Sequence, residues 1–166
     1  GVLSIHGARG GPGPLAEQYV LLAKQVRSIV ERKPLDPTFR AESVQWITLP
    51  EQNVDVQLTG GRVHHRGLQI QVGDTTLITS GSVGEDQTLS LIVTIPIRDE
   101  WIAKDRFLSS LRGQSLQVPV TGTVSQPQLD SRALQQLAGQ LINNAAGNLL
   151  EQQLQRGLNK LLPGTP

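Results

Sequence analysis

From residue 54 to residue 95 the chain places an aliphatic side chain at every second position, in runs separated by short turn signals. Val54, Val56 and Leu58 alternate with Asp55, Gln57 and Thr59 before Gly60-Gly61. Leu68, Ile70 and Val72 alternate with Gln69 and Gln71 before Gly73-Asp74, and Leu89, Leu91, Val93 and Ile95 make a long run that stops at Pro96. Successive side chains of a strand point to opposite faces, so this period of two puts the aliphatic set on one side of a sheet and the polar set on the other. Turn residues at such short intervals imply an antiparallel meander, expected over residues 38–97. Within it, residues 42–49 read as a strand bounded by Pro50, and residues 75–83 as a weaker strand in which Gly81 marks a bulge or a close backbone approach.

A second alternating stretch follows. Leu116, Val118, Val120 and Val124 fall on one face while Gln117, Thr121 and Thr123 fall on the other, which predicts the last strand over residues 115–125. Pro119 sits on its polar side and cannot donate to a ladder, so the strand belongs at or near an edge. Pro127 then turns the chain, and Asp130 or Ser131 is a good N-cap for a long helix over residues 131–162, with Leu134, Leu137 or Ala138, Leu141, Ala145, Leu149, Leu154, Leu158 and Leu161 at helical spacing. At the N-terminal end a short strand-like piece precedes the Gly10 to Pro14 breaker. Leu15, Tyr19, Leu22 and Val26 then predict an amphipathic helix over residues 14–32, with Pro14 tolerated at its start. Residues 98–112, with Trp101, Ile102, Phe107, Leu108 and Leu111, read as a short helix covering a sheet end.

Composition narrows the function classes. The chain has 166 residues, which suits a single domain over residues 1–166. Aromatics are only 3%, so the core is built of Leu, Val, Ile and Ala. With 15 basic and 14 acidic residues there is no bulk charge to attract nucleic acid. There is no cysteine, which excludes disulfides and thiolate metal sites. There is no methionine either, and a start at Gly-Val-Leu reads as a piece of a longer product. No apolar run approaches the ~20 residues a membrane-spanning helix needs, so no transmembrane segment is expected here.

Catalytic signatures are missing. His64 and His65 are adjacent, so on a strand they face opposite ways and do not chelate one ion together. Gly81-Ser82-Val83-Gly84 lacks the strand, elbow and helix of a hydrolase nucleophile, and the segment from Gly7 to Gly13 lacks the ending of a phosphate loop while its prolines remove N–H donors. Asp99, Glu100, Lys104, Asp105 and Arg106 read as a solvated charged face. The residues thus point to a non-enzyme with no catalytic, metal or cofactor set.

The runs Gly61-Arg62-Val63, Arg66-Gly67-Leu68-Gln69-Ile70-Gln71-Val72-Gly73-Asp74 and Thr88-Leu89-Ser90-Leu91-Ile92-Val93-Thr94-Ile95-Pro96 resemble the C-terminal repeats of AsmA-like proteins. The ending Val118-Pro119-Val120-Thr121-Gly122-Thr123-Val124, followed by Pro127 and Asp130, is similar to the ending of such repeats, and the resemblance covers about residues 61–162. What it implies is the terminal segment of a bacterial envelope protein of the AsmA-like and TamB-like kind, periplasmic, with a parent anchored in the inner membrane. It also implies a taco-like β-groove whose aliphatic lining takes phospholipid acyl chains and serves outer-membrane maintenance. The fold class expected is α+β: a curved antiparallel sheet with an N-terminal helix and a long C-terminal capping helix. Candidate groove or core residues are Val54, Val56, Leu58, Leu68, Ile70, Val72, Leu89, Leu91, Val93, Ile95, Leu116, Val118 and Val120. The expected partners are a phospholipid or other apolar ligand, and an envelope protein docking on the terminal helix or a strand edge. The competing reading is a structural or protein-interaction module whose sheet face is filled by its own helices and holds no ligand.

Overall fold

Alternation at a period of two is realised as one open, curved antiparallel sheet of seven strands, and the molecule is mostly β. The structure, a computed structural model, describes residues 1–11, 13–30, 46–103, 109, 112–130, 132, 134–136, 138, 139 and 143. In chain order the elements are β1 (Val2–Gly10), α1 (Pro14–Val30), β2 (Ile47–Thr59), β3 (Arg62–Val72), β4 (Thr75–Gly84), β5 (Leu89–Pro96), α2 (Asp99–Ala103), β6 (Ser115–Gly122) and β7 (Pro127–Leu129). The strands lie in sequence order, each beside the next, so the sheet is a meander interrupted by helical excursions after β1 and β5.

α1 forms where the sequence spaces its apolar residues at three and four. Ala16, Tyr19, Val20, Leu22, Ala23, Val26 and Val30 are buried on one side. All of these but Ala16 join Ile70, Val72, Leu77, the buried aliphatic residues of β5 and β6, Ile97 and Leu134 in one core. Leu22 and Val26 are wholly buried, each stabilising the packing by about 1.5–3 kcal/mol relative to exposure. Burial also pushes the Tyr19 phenol up to about 12. At the rim, Arg27 of α1 lies 3.5 Å from the Asp74 carboxylate in the β3–β4 turn, an exposed pair worth at most about 1 kcal/mol.

Two features depart from the sequence expectation. First, β2 is a single strand of 13 residues that runs through Pro50 instead of stopping there. Between Thr48, opposite Gln71, and Asp55, opposite Arg66, its register with β3 shifts. The Gln52 side chain bridges that gap: Nε2 donates to the Gln69 carbonyl at 2.8 Å, and Oε1 accepts from the Gln69 N–H at 2.8 Å. A carboxamide carries one donor and one acceptor side by side, so it supplies a rung of ladder where the β2 backbone does not. Second, the chain turns back after β6 to add β7, a strand of three residues. Pro119 sits in the penultimate strand, and its carbonyl accepts from Asp130 N–H at 2.9 Å, so its ring replaces a donor on the side where β7 ends. The short helix read over residues 98–112 is described only in part: Asp99–Ala103 form α2, Ser109 lies in a helical turn, and residues 104–108, 110 and 111 lie outside the described residues. Most of the long helix predicted over residues 131–162 lies outside the described residues. Those that are described are helical, Leu134 is buried in the core, and Asp130 Oδ1 accepts from the Arg132 N–H at 2.9 Å as a cap.

Candidate functional site: the aliphatic face

The register gathers all thirteen candidate residues on one face of the sheet. Val93 stands opposite Thr79 on one side and Val118 on the other, and Thr79 stands opposite Leu68. The adjoining row runs from Val56 through His65, Gly81 and Leu91 to Val120 and Leu129. His65 and Leu68 share this face although three positions apart, because β3 bulges between them. Gly67 in the bulge donates its N–H to Ser80 Oγ at 3.0 Å. Gly81 lies opposite His65 with φ of 138°, and a Cβ there would collide with the Ser90 carbonyl and come within 2.8 Å of Leu91 Cα. Of the two sequence readings of Gly81 the close backbone approach holds, since β5 comes too near for a side chain, whereas the bulge lies on the facing strand β3.

Burial along this face is uneven. Ile70, Val72, Leu89, Leu91, Val93, Ile95, Leu116, Val118 and Val120 are buried in the core that α1 shares, and Leu68 is half-buried against it. Val54 is buried, Val56 half-buried, and Leu58 is 69% exposed. The trend is clearest in one cross-strand row, where Leu58 faces Val63, Val63 faces Val83 and Val83 faces Leu89. Exposure falls from 69% at Leu58 to 44% at Val63, Val83 is half-buried, and Leu89 is 5% exposed. α1 packs into the buried part of this face, which becomes exposed toward the β2–β3 turn. Leu3, opposite Val54 on β1, extends the open part and is 52% exposed.

Sequence reasoning missed several residues of this face. Leu3 and Val63 are too isolated in their runs to stand out by periodicity. Thr75 and Thr79 are polar yet buried on this face of β4, while the buried Ser82 lies on the opposite face. Thr79 sits in an otherwise aliphatic row and is satisfied by His65, whose Nε2 lies 2.9 Å from Thr79 Oγ1. Partial burial lowers the His65 pKa, because the neighbouring strands desolvate the charged imidazolium. His64 is in register with Gln57 and Ser82, on the polar side.

At the open end the hairpins are tied by Arg62. Its Nε donates to Ser82 Oγ at 2.8 Å and Nη1 to Thr88 Oγ1 at 2.8 Å, while Nη2 reaches the Ser82 and Thr88 carbonyls at 3.3 and 3.2 Å. Hydrogen bonds from the Thr88 hydroxyl and N–H hold the Asp86 carboxyl below its usual range, helped by the Arg62 charge. The opposite sheet face is polar: a cleft of about 560 Å³ there is lined by Gln69, Gln71, Asp74, Thr76, Ile78 and Arg98. It offers no apolar lining comparable to the aliphatic face. Among the described residues no three His, Asp or Glu side chains converge as metal ligands, and no helix is long and apolar enough to cross a membrane.

Fold and site together define an open antiparallel sheet with one aliphatic face, part core and part surface. No known protein family, curated protein or solved structure matches the chain.

Proposed function

We propose that this chain is a non-catalytic envelope module of the AsmA-like kind, in which the aliphatic sheet face is a groove closed at one end by α1 and open at the other to acyl chains. The observation that carries this reading is the graded exposure of Leu58, Val63, Val83 and Leu89 along one row. A phospholipid tail laid on Leu3, Leu58 and Val63 would lose its contact with water at about 0.8 kcal/mol per buried CH₂, with no fixed polar anchor. On this reading the chain works in the periplasm, and most of the thirteen candidate residues stabilise the closed end while Val56 and Leu58 face the ligand.

The filling of the face by α1 favours a second reading, a module with a packed sheet that binds protein instead of lipid. Binding of a fluorescent fatty acid, read by its emission on titration with the purified chain, separates the two. Lipid carriage predicts saturable binding that Leu58→Asp abolishes while the far-UV spectrum stays unchanged. An absence of binding by the wild-type chain would retire the lipid reading and leave the protein-binding one.

A further inference from the structure

We infer that two copies of this chain pair edge to edge through β1, antiparallel about a twofold axis passing beside Ser4. The two edges of the sheet are unlike. β7 has three residues and begins with a proline that lacks a donor, whereas β1 has nine residues, and among the described residues only β2 pairs with it. Edge strands in soluble proteins are ordinarily protected by lysine, proline or brevity. Residues 1–7 of this chain contain neither lysine nor proline. Val2 is 65% and Leu3 52% exposed, on opposite faces of the same edge.

The hydrogen-bond phase fixes which groups are on offer. Gly1 and Val56 exchange both bonds, N to O at 2.7 Å and O to N at 2.8 Å. In an antiparallel ladder such pairs alternate with non-bonded ones, so Gly1, Leu3 and Ile5 direct their backbone groups to β2. Val2, Ser4 and His6 direct theirs outward. A twofold axis can stand beside an outward residue, whose two copies then form a bonded pair, or beside an inward one, whose copies form a non-bonded pair; Ser4 is outward and central to residues 1–7.

That register sets Ser4 opposite the partner's Ser4, Val2 opposite the partner's His6, and Leu3 opposite the partner's Ile5. Every aliphatic-face residue then meets an aliphatic one, and no like charges oppose, since Arg9 lies beyond the paired segment. The pairing ends naturally at Gly7, whose φ of 91° bends the strand. Centring on Ile5 would instead set Leu3 against the partner's Gly7 and carry the ladder across that bend. The isologous contact closes on itself, as a twofold dimer requires. It also lays the two open aliphatic ends side by side, but it rests on β1 alone and stands whether or not a lipid binds.

The chain has no cysteine, so Ser4→Cys introduces a single thiol. Directly opposed residues of a bonded antiparallel pair have Cα atoms about 5.5 Å apart, within disulfide reach. Copies of residue 2 are offset by about 13 Å along the strands, outside it. Mild oxidation is expected to convert Ser4→Cys to a disulfide-linked dimer on a non-reducing gel while Val2→Cys stays monomeric. Sedimentation of the wild-type chain across a concentration series is expected to show a monomer–dimer equilibrium. Ser4→Pro removes an outward N–H and the exposed hydroxyl that donates to Asn53 Oδ1 at 2.8 Å, but no β1–β2 ladder bond, and is expected to keep the far-UV spectrum while losing the dimer. A wild-type chain that sediments as a monomer throughout, or Val2→Cys cross-linking as readily as Ser4→Cys, would overturn the pairing. If Ser4→Pro does not fold, the two cysteine variants decide alone.

Discussion

Truncating the two ends of one cross-strand row tests whether α1 divides the aliphatic face as described. Leu58→Ala and Leu89→Ala each remove three carbon atoms from the same face. Leu89 is 5% exposed and sits in the core cluster, so its loss forfeits about 2.4 kcal/mol of transfer free energy at ~0.8 per CH₂. A cavity contribution brings the total to about 3 kcal/mol. Leu58 is 69% exposed, so roughly a third of the same transfer term is at stake, under about 0.8 kcal/mol. Urea unfolding followed by far-UV circular dichroism is the assay. With a slope of about 2 kcal/mol/M, Leu89→Ala should lower the midpoint by about 1.5 M and Leu58→Ala by less than about 0.4 M, with slopes unchanged. Equal losses at the two sites, or the larger loss at Leu58, would refute the graded closure of the face and with it the open end.

Two further outcomes follow from the polar contacts. Arg62→Ala should cost about 2–3 kcal/mol, because it leaves the buried Ser82 and half-buried Thr88 acceptors without their donor; Arg62→Lys should recover only part of this, as an ammonium does not span four acceptors at once, and the same urea midpoints check both. His65 has its folded pKa below 6.5, so the unfolded chain binds the proton more readily, and stability present above that value is lost as pH falls beneath it. The midpoint should therefore drop between pH 7.5 and pH 5.5 in the wild type and change less in His65→Gln; the Asp86 contribution lies lower, since its carboxyl titrates below 3.8.

The strands were legible because a half-buried antiparallel sheet writes its two faces directly into the sequence, and the thirteen candidate positions do share a face. What periodicity does not encode is how far a helix reaches over that face. Ile70 and Leu58 look alike in sequence, each an aliphatic residue flanked by polar neighbours, yet one is 3% and the other 69% exposed. Pro50 misled for a different reason: a proline ends a strand only if nothing else fills the ladder, and the Gln52 carboxamide does so two residues on. β7 was unreadable as a strand since three residues beginning with proline carry no period. His65 was read correctly as facing away from His64, but its contact with Thr79 depends on the β3 bulge, which only the pairing with β4 reveals.

Leaving Leu3, Leu58 and Val63 in water is a measurable concession. Full burial of such side chains is worth about 1.5–3 kcal/mol each, and together that approaches the net stability of an ordinary domain, about 5–15 kcal/mol. The same chain has in α1 a helix that covers the rest of the face, with Leu22 and Val26 wholly buried against it. Scattered exposed aliphatics need no explanation, but these stand on three consecutive strands and on the face that is core elsewhere. Exposed apolar side chains placed toward one end of this face, near the edge strand β1 that among the described residues pairs only with β2, have the form of a surface meant to be covered. An acyl chain lying on the face and a second copy pairing at the edge would cover different parts of it, and neither displaces the other.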